Sequence, residues 1–159
     1  MTQIVVPLTI RDLATRDLAA CAWSGLSSSL ITELARAGRG EADYLVVCPP
    51  TGLPVALGGV DYALNRSAGT LYQLTVHGAL QSCGIGTILI GAAEQRIRAR
   101  GLRRAELAVE EQNSRARALY ERLGYAAYAS KPEAWLDEAP DGSRFRYETV
   151  CTLMRKELR

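Results

Sequence analysis

The chain reads Gln81-Ser82-Cys83-Gly84-Ile85-Gly86-Thr87 between a strand-like run, Leu71 to Val76, and a helical pattern that begins near Thr87. The first N–H groups of a helix have no partner within the helix, and the macrodipole adds roughly half a positive charge there. Gly84 and Gly86 lack a Cβ, so the backbone can take positive φ values and approach a ligand closely. The stretch therefore predicts an anion site, and a ligand phosphate suits it.

Size and composition limit the class of protein. The 159 residues, 48% of them hydrophobic, predict a single domain over residues 1–159 with a core of its own. No apolar run is long enough to cross a bilayer, and the start Met1-Thr2-Gln3 lacks a signal-peptide pattern. A formal charge of +2 is too small to argue for nucleic acid. Four scattered cysteines with one histidine indicate reduced thiols and no zinc, so we expect a cytoplasmic protein that binds neither membrane nor nucleic acid.

A cluster of arginines surrounds the end of the helix predicted after the glycine loop. Cations there complement the negative end of the helix dipole and form a solvated face, which is the favoured interpretation. In a weaker alternative, some of them, or Arg115 and Arg117, reach an outlying phosphate of a nucleotide ligand. The five residues are Arg96, Arg98, Arg100, Arg103 and Arg104.

The pattern before the glycine loop predicts an antiparallel meander with two short helices. Thr15 and Ser27 are the expected N-caps of these helices, which glycines close. The predicted elements are a strand over Val5 to Arg11, helices over Thr15 to Trp23 and Ser27 to Ala37, and strands over Tyr44 to Cys48, Pro54 to Leu64 and Leu71 to Val76.

After the loop the pattern changes to strand, helix, strand, which predicts a parallel pair of strands around a crossover helix. Asn113 is expected to cap a second helix that Gly124 ends. The predicted elements are a helix ending at Gly101, a strand over Arg104 to Glu110, a helix over Ser114 to Leu123, a strand over Tyr125 to Ala129, a long hairpin loop from Lys131 to Gly142, and a last strand over Phe145 to Arg155. The fold class is therefore α+β with a mixed sheet.

Residue types separate three interpretations of the glycine loop. A Walker A loop needs Gly-Lys-Ser/Thr, which is absent, and a dinucleotide fingerprint needs a third glycine where Leu89 stands. What remains is Gln81-x-x-Gly84-x-Gly86 after a strand ending in Leu74-Thr75-Val76. This order resembles the acetyl-CoA loop of the GNAT superfamily of N-acetyltransferases, whose signature is Gln/Arg-x-x-Gly-x-Gly/Ala.

A second motif carries the same resemblance. The family has a strand leading to an Asn, then Ala-Leu-Tyr and a Leu-Gly-Tyr/Phe ending, and this chain reads Val109-Glu110-Glu111-Gln112-Asn113-Ser114-Arg115-Ala116-Arg117-Ala118-Leu119-Tyr120-Glu121-Arg122-Leu123-Gly124-Tyr125. Two motifs in the right order cover Leu71 to Tyr125 closely. The resemblance implies a mostly antiparallel central sheet of about seven strands flanked by about four helices, with a parallel, splayed strand pair at the CoA site.

The resemblance also implies how acetyl-CoA binds as co-substrate. Backbone N–H groups of the loop would hold the pyrophosphate, and the strand edge before it would pair with the two amides of pantetheine. The N–H near Val76 would polarise the thioester carbonyl, and Tyr120 would protonate the leaving thiolate. The residues expected to bind the co-substrate are Leu74, Thr75, Val76, Gln81, Ser82, Cys83, Gly84, Ile85, Gly86, Thr87, Asn113 and Tyr120.

Three carboxylates are candidates for the general base. Glu110 is the first candidate, with Glu111 and Asp61 as others, and for each the alternative is a solvated carboxylate at a strand end. Ribosomal-protein alanine acetyltransferases of the family carry an acid at the position matching Ala108, so this chain departs from them. His77 is expected to hydrogen-bond within the loop, and Cys83 to be a small residue tolerated beside phosphate.

The acceptor is expected to be a primary amine of a small molecule or peptide. Trp23 and Trp135 are candidate pocket walls by analogy with the family, and core packing explains each equally well. Sheet edges often pair into homodimers in this family. Two alternatives stay open: a non-catalytic acyl-CoA-binding regulatory module, and an unrelated nucleotide-binding domain.

Overall fold

The computed structural model describes residues 1–159, and its internal packing divides them into two compact units. The first unit comprises Met1–Ala105 with Leu158–Arg159, and the second comprises Glu106–Glu157. The single domain expected from the sequence stays a prediction. No helix is both long and apolar enough to span a bilayer.

Seven strands and three α-helices make up the chain, together with short 3₁₀ segments. In chain order these are β1 (Thr9–Asp12), 3₁₀ turns at Thr15–Asp17 and Ala19–Ser24, α1 (Ser27–Gly38), β2 (Ala42–Cys48), β3 (Ala56–Asp61), β4 (Gly69–Val76), a 3₁₀ turn at Gly78–Leu80, α2 (Ile85–Ala99), β5 (Arg104–Glu110), α3 (Ser114–Arg122), β6 (Ala126–Glu138) and β7 (Arg144–Glu157). The α+β class is confirmed, and the 3₁₀ segments before α1 replace the first of the four predicted helices.

In the first unit the strand order is β1-β2-β3-β4-β5, and only the first two residues of β5 belong to this unit. The pairs β1–β2, β2–β3 and β3–β4 are antiparallel, which confirms the predicted meander. β4 and β5 are parallel neighbours joined by α2, as the strand, helix, strand pattern predicted. The predicted splaying of this pair stays a prediction.

The core of the first unit lies on both faces of β2. Alternate residues of a strand point to opposite faces, so Tyr44 and Val46 join one cluster while Leu45 and Val47 join the other. α1 contributes Leu30 to the first cluster, and α2 contributes its own apolar face to the second. This double burial explains why the sequence of β2 is almost continuously apolar.

In the second unit the strand order is β5-β7-β6, and the predicted long loop from Lys131 to Gly142 is wrong. β6 continues to Glu138 and pairs antiparallel with β7 along its whole length, from Ala126 opposite Arg155 to Glu138 opposite Arg144. The turn is closed by the N–H of Gly142, which donates to the carbonyl of Ala139 at 2.9 Å. Pro132 did not end the strand, because β6 lies at the edge of its unit, where a missing N–H leaves no inner ladder bond unmade.

Two helix caps differ from the sequence prediction. The N-cap before Thr15 is Ala14, whose N–H donates to the carboxylate of Asp17 at 2.8 Å. The N-cap of α1 is Leu26, and Ser27 is the first helical residue. β1 also begins at Thr9 rather than Val5. Pro7 lies in the part that is not strand and has no N–H to donate to a neighbouring strand.

Asp17 is a buried carboxylate held by a guanidinium, and its removal should destabilise the fold. Arg11 donates to both oxygens at 2.7 and 2.8 Å, and this hydrogen bonding holds the pKa of Asp17 below its usual value. We expect Asp17→Asn to lower the free energy of unfolding at pH 7 by about 2 kcal/mol, since hydrogen bonds to charged groups contribute that much. A lowered folded-state pKa stabilises above the unfolded value, so the difference should fade as the pH drops below about 4.

Urea unfolding of Asp17→Asn and of the unmodified chain between pH 7 and pH 3 measures this effect. Asp12→Asn is the control, because that carboxylate is 67% exposed and its ion pair with Arg96 should contribute less than about 1 kcal/mol. A difference that is equally large at pH 3 and pH 7 would show that the Asp17 charge is not the cause.

Candidate functional site

The N-terminus of α2 is open. Gly84 is its N-cap with a φ of 83°, and no side chain caps the helix. The N–H of Ile88 donates to the carbonyl of Gly84 at 3.2 Å, so the N–H groups of Ile85, Gly86 and Thr87 precede the first helical hydrogen bond. A Cβ built on Gly84 would meet no atom within 4 Å. This end of α2 therefore offers backbone donors and open space to an anion.

Side chains of the loop fix its path from β4 to α2. Gln81 donates through Nε2 to the carbonyl of Val76 at 3.3 Å, which ties the loop to the end of β4. His77 accepts the N–H of Ala79 through Nδ1 at 3.2 Å, which confirms the predicted hydrogen-bonding role within the loop. Cys83 is exposed, and its Sγ lies 3.7 Å from the carbonyl oxygen of Gln81. The loop is thus shaped by its own polar groups.

β4 is irregular just before the segment expected to bind pantetheine. Its register against β3 shifts between Leu57 and Gly59. Gln73 lies at this shift with a φ of 55°, an uncommon value for a residue with a Cβ. The hydroxyl of Tyr44 donates to Oε1 of Gln73 at 2.7 Å. Sequence patterns gave no sign of this contact, because nothing local links a residue of β2 to one of β4.

Two arginines in the C-terminal half of α2 and its C-cap, Arg100, each contact another part of the first unit. Arg96 pairs with Asp12 at 2.8 Å, and Arg98 donates to the terminal carbonyl of Arg159 at 3.1 Å. The guanidinium of Arg100 stacks on the ring of Tyr62 at 3.9 Å. The fifteen residues of α2 correspond to about 22 Å at the helical rise. These three arginines therefore fit the favoured interpretation and are remote from the glycine loop.

Asp61 is held as an ion-pair partner. Its carboxylate accepts Arg36 at 2.5 Å and the N–H groups of Ala63 and Leu64 at 2.7 and 2.9 Å. Burial raises the pKa of Asp61, but these donors outweigh burial and leave the pKa below its usual value. A carboxylate stabilised in this way is a weak proton acceptor, so the structure does not favour Asp61 as the base.

In the second unit, α3 presents the two residues of the second motif. Asn113 accepts the N–H of Ala116 at 3.2 Å, which confirms the predicted N-cap. Tyr120 is half-buried, and its ring meets the ring of Tyr125 edge-on at 6.2 Å. Burial raises the pKa of Tyr120, so the phenol keeps its proton at neutral pH. This side chain is suited to donating a proton and unsuited to accepting one.

Glu110 ends β5 beside a polar group of β7. One of its oxygens, Oε1, is buried and has no hydrogen-bond partner. Hydrogen bonding to the Glu110 carboxylate raises the pKa of the Tyr147 phenol, and Gln112 donates to the hydroxyl of Tyr147 at 3.1 Å. Glu111, in contrast, is exposed. Of these two carboxylates only Glu110 has a buried oxygen that lacks a donor, and the sequence gave no indication of Tyr147.

The two tryptophans differ in burial. Trp23 packs against the core of the first unit and donates through Nε1 to the carbonyl of Pro54 at 3.1 Å. Trp135 is 44% exposed, and its ring lies 5.0 Å from that of Tyr147. The structure therefore favours core packing for Trp23 and leaves Trp135 as the tryptophan accessible to a ligand.

All four cysteines are free thiols in the structure. Burial raises the pKa of Cys21 to about 11 and places the pKa of Cys48 and Cys151 above the usual value. Such thiols stay protonated at neutral pH and are poor nucleophiles. No three His, Cys, Asp or Glu side chains come together in an arrangement that could hold a metal ion.

Comparison with known proteins identifies a family whose model matches most of this chain. The model of the Acetyltransferase (GNAT) family matches residues 13–125. A mycothiol acetyltransferase from Beutenbergia cavernae is 44% identical over 65 residues, which are 41% of this chain and 22% of that protein. The match with this curated relative thus spans about a fifth of its length.

Two solved structures share the fold at low sequence identity. The ribosomal-protein-S18-alanine N-acetyltransferase from Escherichia coli is 19% identical with a TM-score of 0.74, covering 96% of this chain and 94% of that one. The protein yncA from Salmonella typhimurium, solved with its cofactor acetyl-CoA, is 20% identical with a TM-score of 0.74, covering 96% and 95%. At these identities the likeness establishes the fold.

Proposed function

The chain belongs to the GNAT family of acetyltransferases, and from that premise we propose that it acetylates a primary amine of a small molecule or peptide. As a member of the family it is an acetyl-CoA-dependent enzyme, with acetyl-CoA as co-substrate. The observation that carries the proposal is the N-terminus of α2, which no side chain caps and which follows a bulged β4 after one short loop. Transfer occurs by direct attack of the amine in a ternary complex.

The first unit supplies the groups that hold acetyl-CoA. Backbone N–H groups from Ser82 to Thr87 bind the pyrophosphate, and the edge of Leu74 to Val76 pairs with the amides of pantetheine. The contact of Gln81 with Val76 supports this role, because it keeps the loop and the strand end together. The N–H of Val76 polarises the thioester carbonyl, a contribution of about 3 kcal/mol for such donors in other enzymes. Asn113 also contacts the co-substrate.

Two side chains transfer protons in the proposed reaction. An alkylamine has a pKa near 10.4 and is mostly protonated at neutral pH, so Glu110 takes a proton from it, directly or through water. The neutral nitrogen then bonds to the acetyl carbon as the carbon–sulfur bond breaks, and Tyr120 gives its proton to the leaving sulfur. The nitrogen loses its second proton to solvent, and Tyr120 regains a proton from solvent before the next turnover. Two observations support these assignments: the Tyr120 phenol is protonated at neutral pH, and Oε1 of Glu110 has no hydrogen-bond donor.

The proposal is tested by a screen for thiol release from acetyl-CoA over polyamines, aminoglycosides, amino acids and peptide N-termini. We expect turnover with at least one class, and weak turnover of an N-terminal alanine peptide because Ala108 replaces the acid of the ribosomal-protein enzymes. Calorimetry with acetyl-CoA runs in parallel. Tight binding without turnover on any amine would favour a non-catalytic acyl-CoA-binding module, and a preference for ATP or NAD over CoA would reject both.

Glu110→Gln should lower kcat by at least about 10-fold with a protonated alkylamine, because the amide cannot accept the proton. The effect should be much smaller with an amine that is mostly neutral at the assay pH, since that amine needs no base. Glu111→Gln is the matched control and should leave both rates unchanged. An equal loss with both amines would show that Glu110 acts on structure rather than on proton removal.

Two further expectations belong to the same proposal. We place the enzyme in the cytoplasm, which the four free thiols support because a reducing compartment preserves them. We also expect a homodimer formed through sheet edges. β6, the terminal strand of its unit, supports this assembly because an edge strand carries unpaired backbone groups. Light scattering of the purified protein measures the second expectation.

A further inference from the structure

One extra residue bulges from β4. Gly59 lies opposite Tyr72 and Leu57 lies opposite Thr75, so Gln73 and Leu74 together face the single residue Gly58. Gln73 takes a φ of 55°, which brings its Cβ close to the backbone and is unfavourable for a side chain such as that of glutamine. A left-handed residue in a strand persists only when the surrounding structure holds it.

A buried hydroxyl holds the bulge at Gln73. Tyr44 is 1% exposed, and its hydroxyl donates to Oε1 of Gln73 at 2.7 Å. Burial raises the pKa of Tyr44, so the hydroxyl keeps its proton and can donate at neutral pH. Thr75 donates through Oγ1 to the carbonyl of Gln73 at 3.0 Å and closes the bulge on its other side.

The neighbouring residue of the bulge is tied to α1. The ring of Tyr72 meets that of Tyr44 edge-on at 5.9 Å, and its hydroxyl donates to Glu33. Arg36 in turn binds Glu33 at 3.2 Å. β2 therefore holds Gln73 of the bulge, while α1 holds the preceding residue, Tyr72.

β3 is shaped to receive the bulge. A Cβ on Gly58 would lie 2.6 Å from Cδ2 of Leu74, and a Cβ on Gly59 would lie 2.8 Å from the ring of Tyr44. Real Cβ atoms do not approach so closely. The two glycines therefore allow Leu74 and the ring of Tyr44 to pack closely against β3. This packing leaves the hydroxyl of Tyr44 within hydrogen-bonding distance of Gln73.

We propose that Tyr44 is a positioning residue: its hydroxyl keeps Gln73 left-handed and thereby aims the backbone groups of Leu74 to Val76 at the thioester end of acetyl-CoA. A bulge rotates the peptide groups that follow it, so its conformation sets the direction of their N–H and C=O bonds. The inference rests on the proposed function of that strand segment. Tyr44 itself is buried in the core and acts only through Gln73.

Tyr44→Phe tests the inference, since it keeps the ring and its contact with Tyr72 while removing the hydroxyl. We expect kcat to fall about 10-fold with an unchanged KM for the amine, because a misaimed backbone donor weakens transition-state stabilisation. Amide hydrogen exchange of Leu74, Thr75 and Val76 should accelerate. Tyr62→Phe is the matched control: Tyr62 is 6% exposed and its hydroxyl donates to Asp43 at 2.6 Å, outside the bulge.

A second variant separates positioning from general stability. Glycine adopts positive φ without a steric penalty, so Gln73→Gly should keep the bulge without the Tyr44 hydroxyl. In that background Tyr44→Phe should change neither kcat nor the exchange of Leu74 to Val76. If Tyr44→Phe alone does not fold, the comparison of Gln73→Gly with and without Tyr44→Phe still tests the inference.

The outcomes separate the inference from the proposed function. Equal loss of kcat in Tyr44→Phe and Tyr62→Phe, or an undiminished Tyr44→Phe effect in the Gln73→Gly background, overturns the inference. An unmodified chain that acetylates no amine overturns the proposed function alone, because the exchange rates of Leu74 to Val76 still report whether the Tyr44 hydroxyl holds the bulge.

Discussion

Tyr120→Phe should lower kcat about 100-fold while leaving the affinity for acetyl-CoA unchanged. A positioned general acid contributes roughly that factor or more, and phenylalanine cannot donate a proton. The half-buried phenol can take the role because it is protonated at neutral pH, where burial raises its pKa. Phenylalanine also keeps the edge-on ring contact with Tyr125, so the fold of α3 should persist. Thiol release measures kcat, and calorimetry measures the affinity.

The control for this substitution is Tyr128→Phe, which removes a phenol from a 41% exposed residue whose ring lies under Arg155 at 4.6 Å. That variant should be fully active. A Tyr120→Phe enzyme with an unchanged rate would remove Tyr120 from the mechanism. A loss of acetyl-CoA affinity that matched the loss of rate would assign the phenol to binding rather than to proton donation.

Gly84→Asp should raise the Kd for acetyl-CoA about 100-fold. The carboxylate would stand at the N-terminus of α2, where we propose that the pyrophosphate binds, and like charges a few ångströms apart near a protein surface repel by several kcal/mol. The side chain has room, since a Cβ on Gly84 meets no atom within 4 Å. Calorimetry at two salt concentrations measures the Kd, and salt should weaken the effect.

Gly84→Asn isolates the charge from the backbone. Asparagine and aspartate have nearly the same size, and both tolerate the left-handed conformation that Gly84 adopts with a φ of 83°. The asparagine variant should therefore bind acetyl-CoA only a few-fold more weakly than the unmodified chain. Equal Kd values for the two variants would show that the loop does not face the pyrophosphate.

The sequence predicted the glycine loop and the second motif because both are local. The Asn113 cap and the extent of β5 follow from hydrogen bonds and side-chain alternation within a few residues, and the structure confirms them. The helix after the glycine loop begins at Ile85, two residues before the predicted start near Thr87. The fold class and the co-substrate followed from two motifs in order. The prediction of a long loop after Lys131 was wrong. An exposed edge strand tolerates proline and acidic residues, and the same residues are typical of a loop.

Other features of the site could not be predicted, because strand register brings their parts together. Tyr44 and Gln73 are 29 positions apart and meet only after β2, β3 and β4 align. Gln112 and Tyr147 are 35 positions apart and meet across the second unit. No propensity or motif encodes such a pair, since each residue is ordinary in its own segment.

By itself the sequence determined most of the elements, their order and the glycine loop before α2, because those depend on interactions between residues close in the chain. Tertiary structure decided which side chains contact one another around the site. Asp61 forms an ion pair with Arg36, a buried oxygen of Glu110 has no donor, and the hydroxyl of Tyr44 donates to Gln73 in the bulge. The physical reason is that burial and hydrogen-bond partners of these groups depend on residues that only strand pairing and helix packing make neighbours.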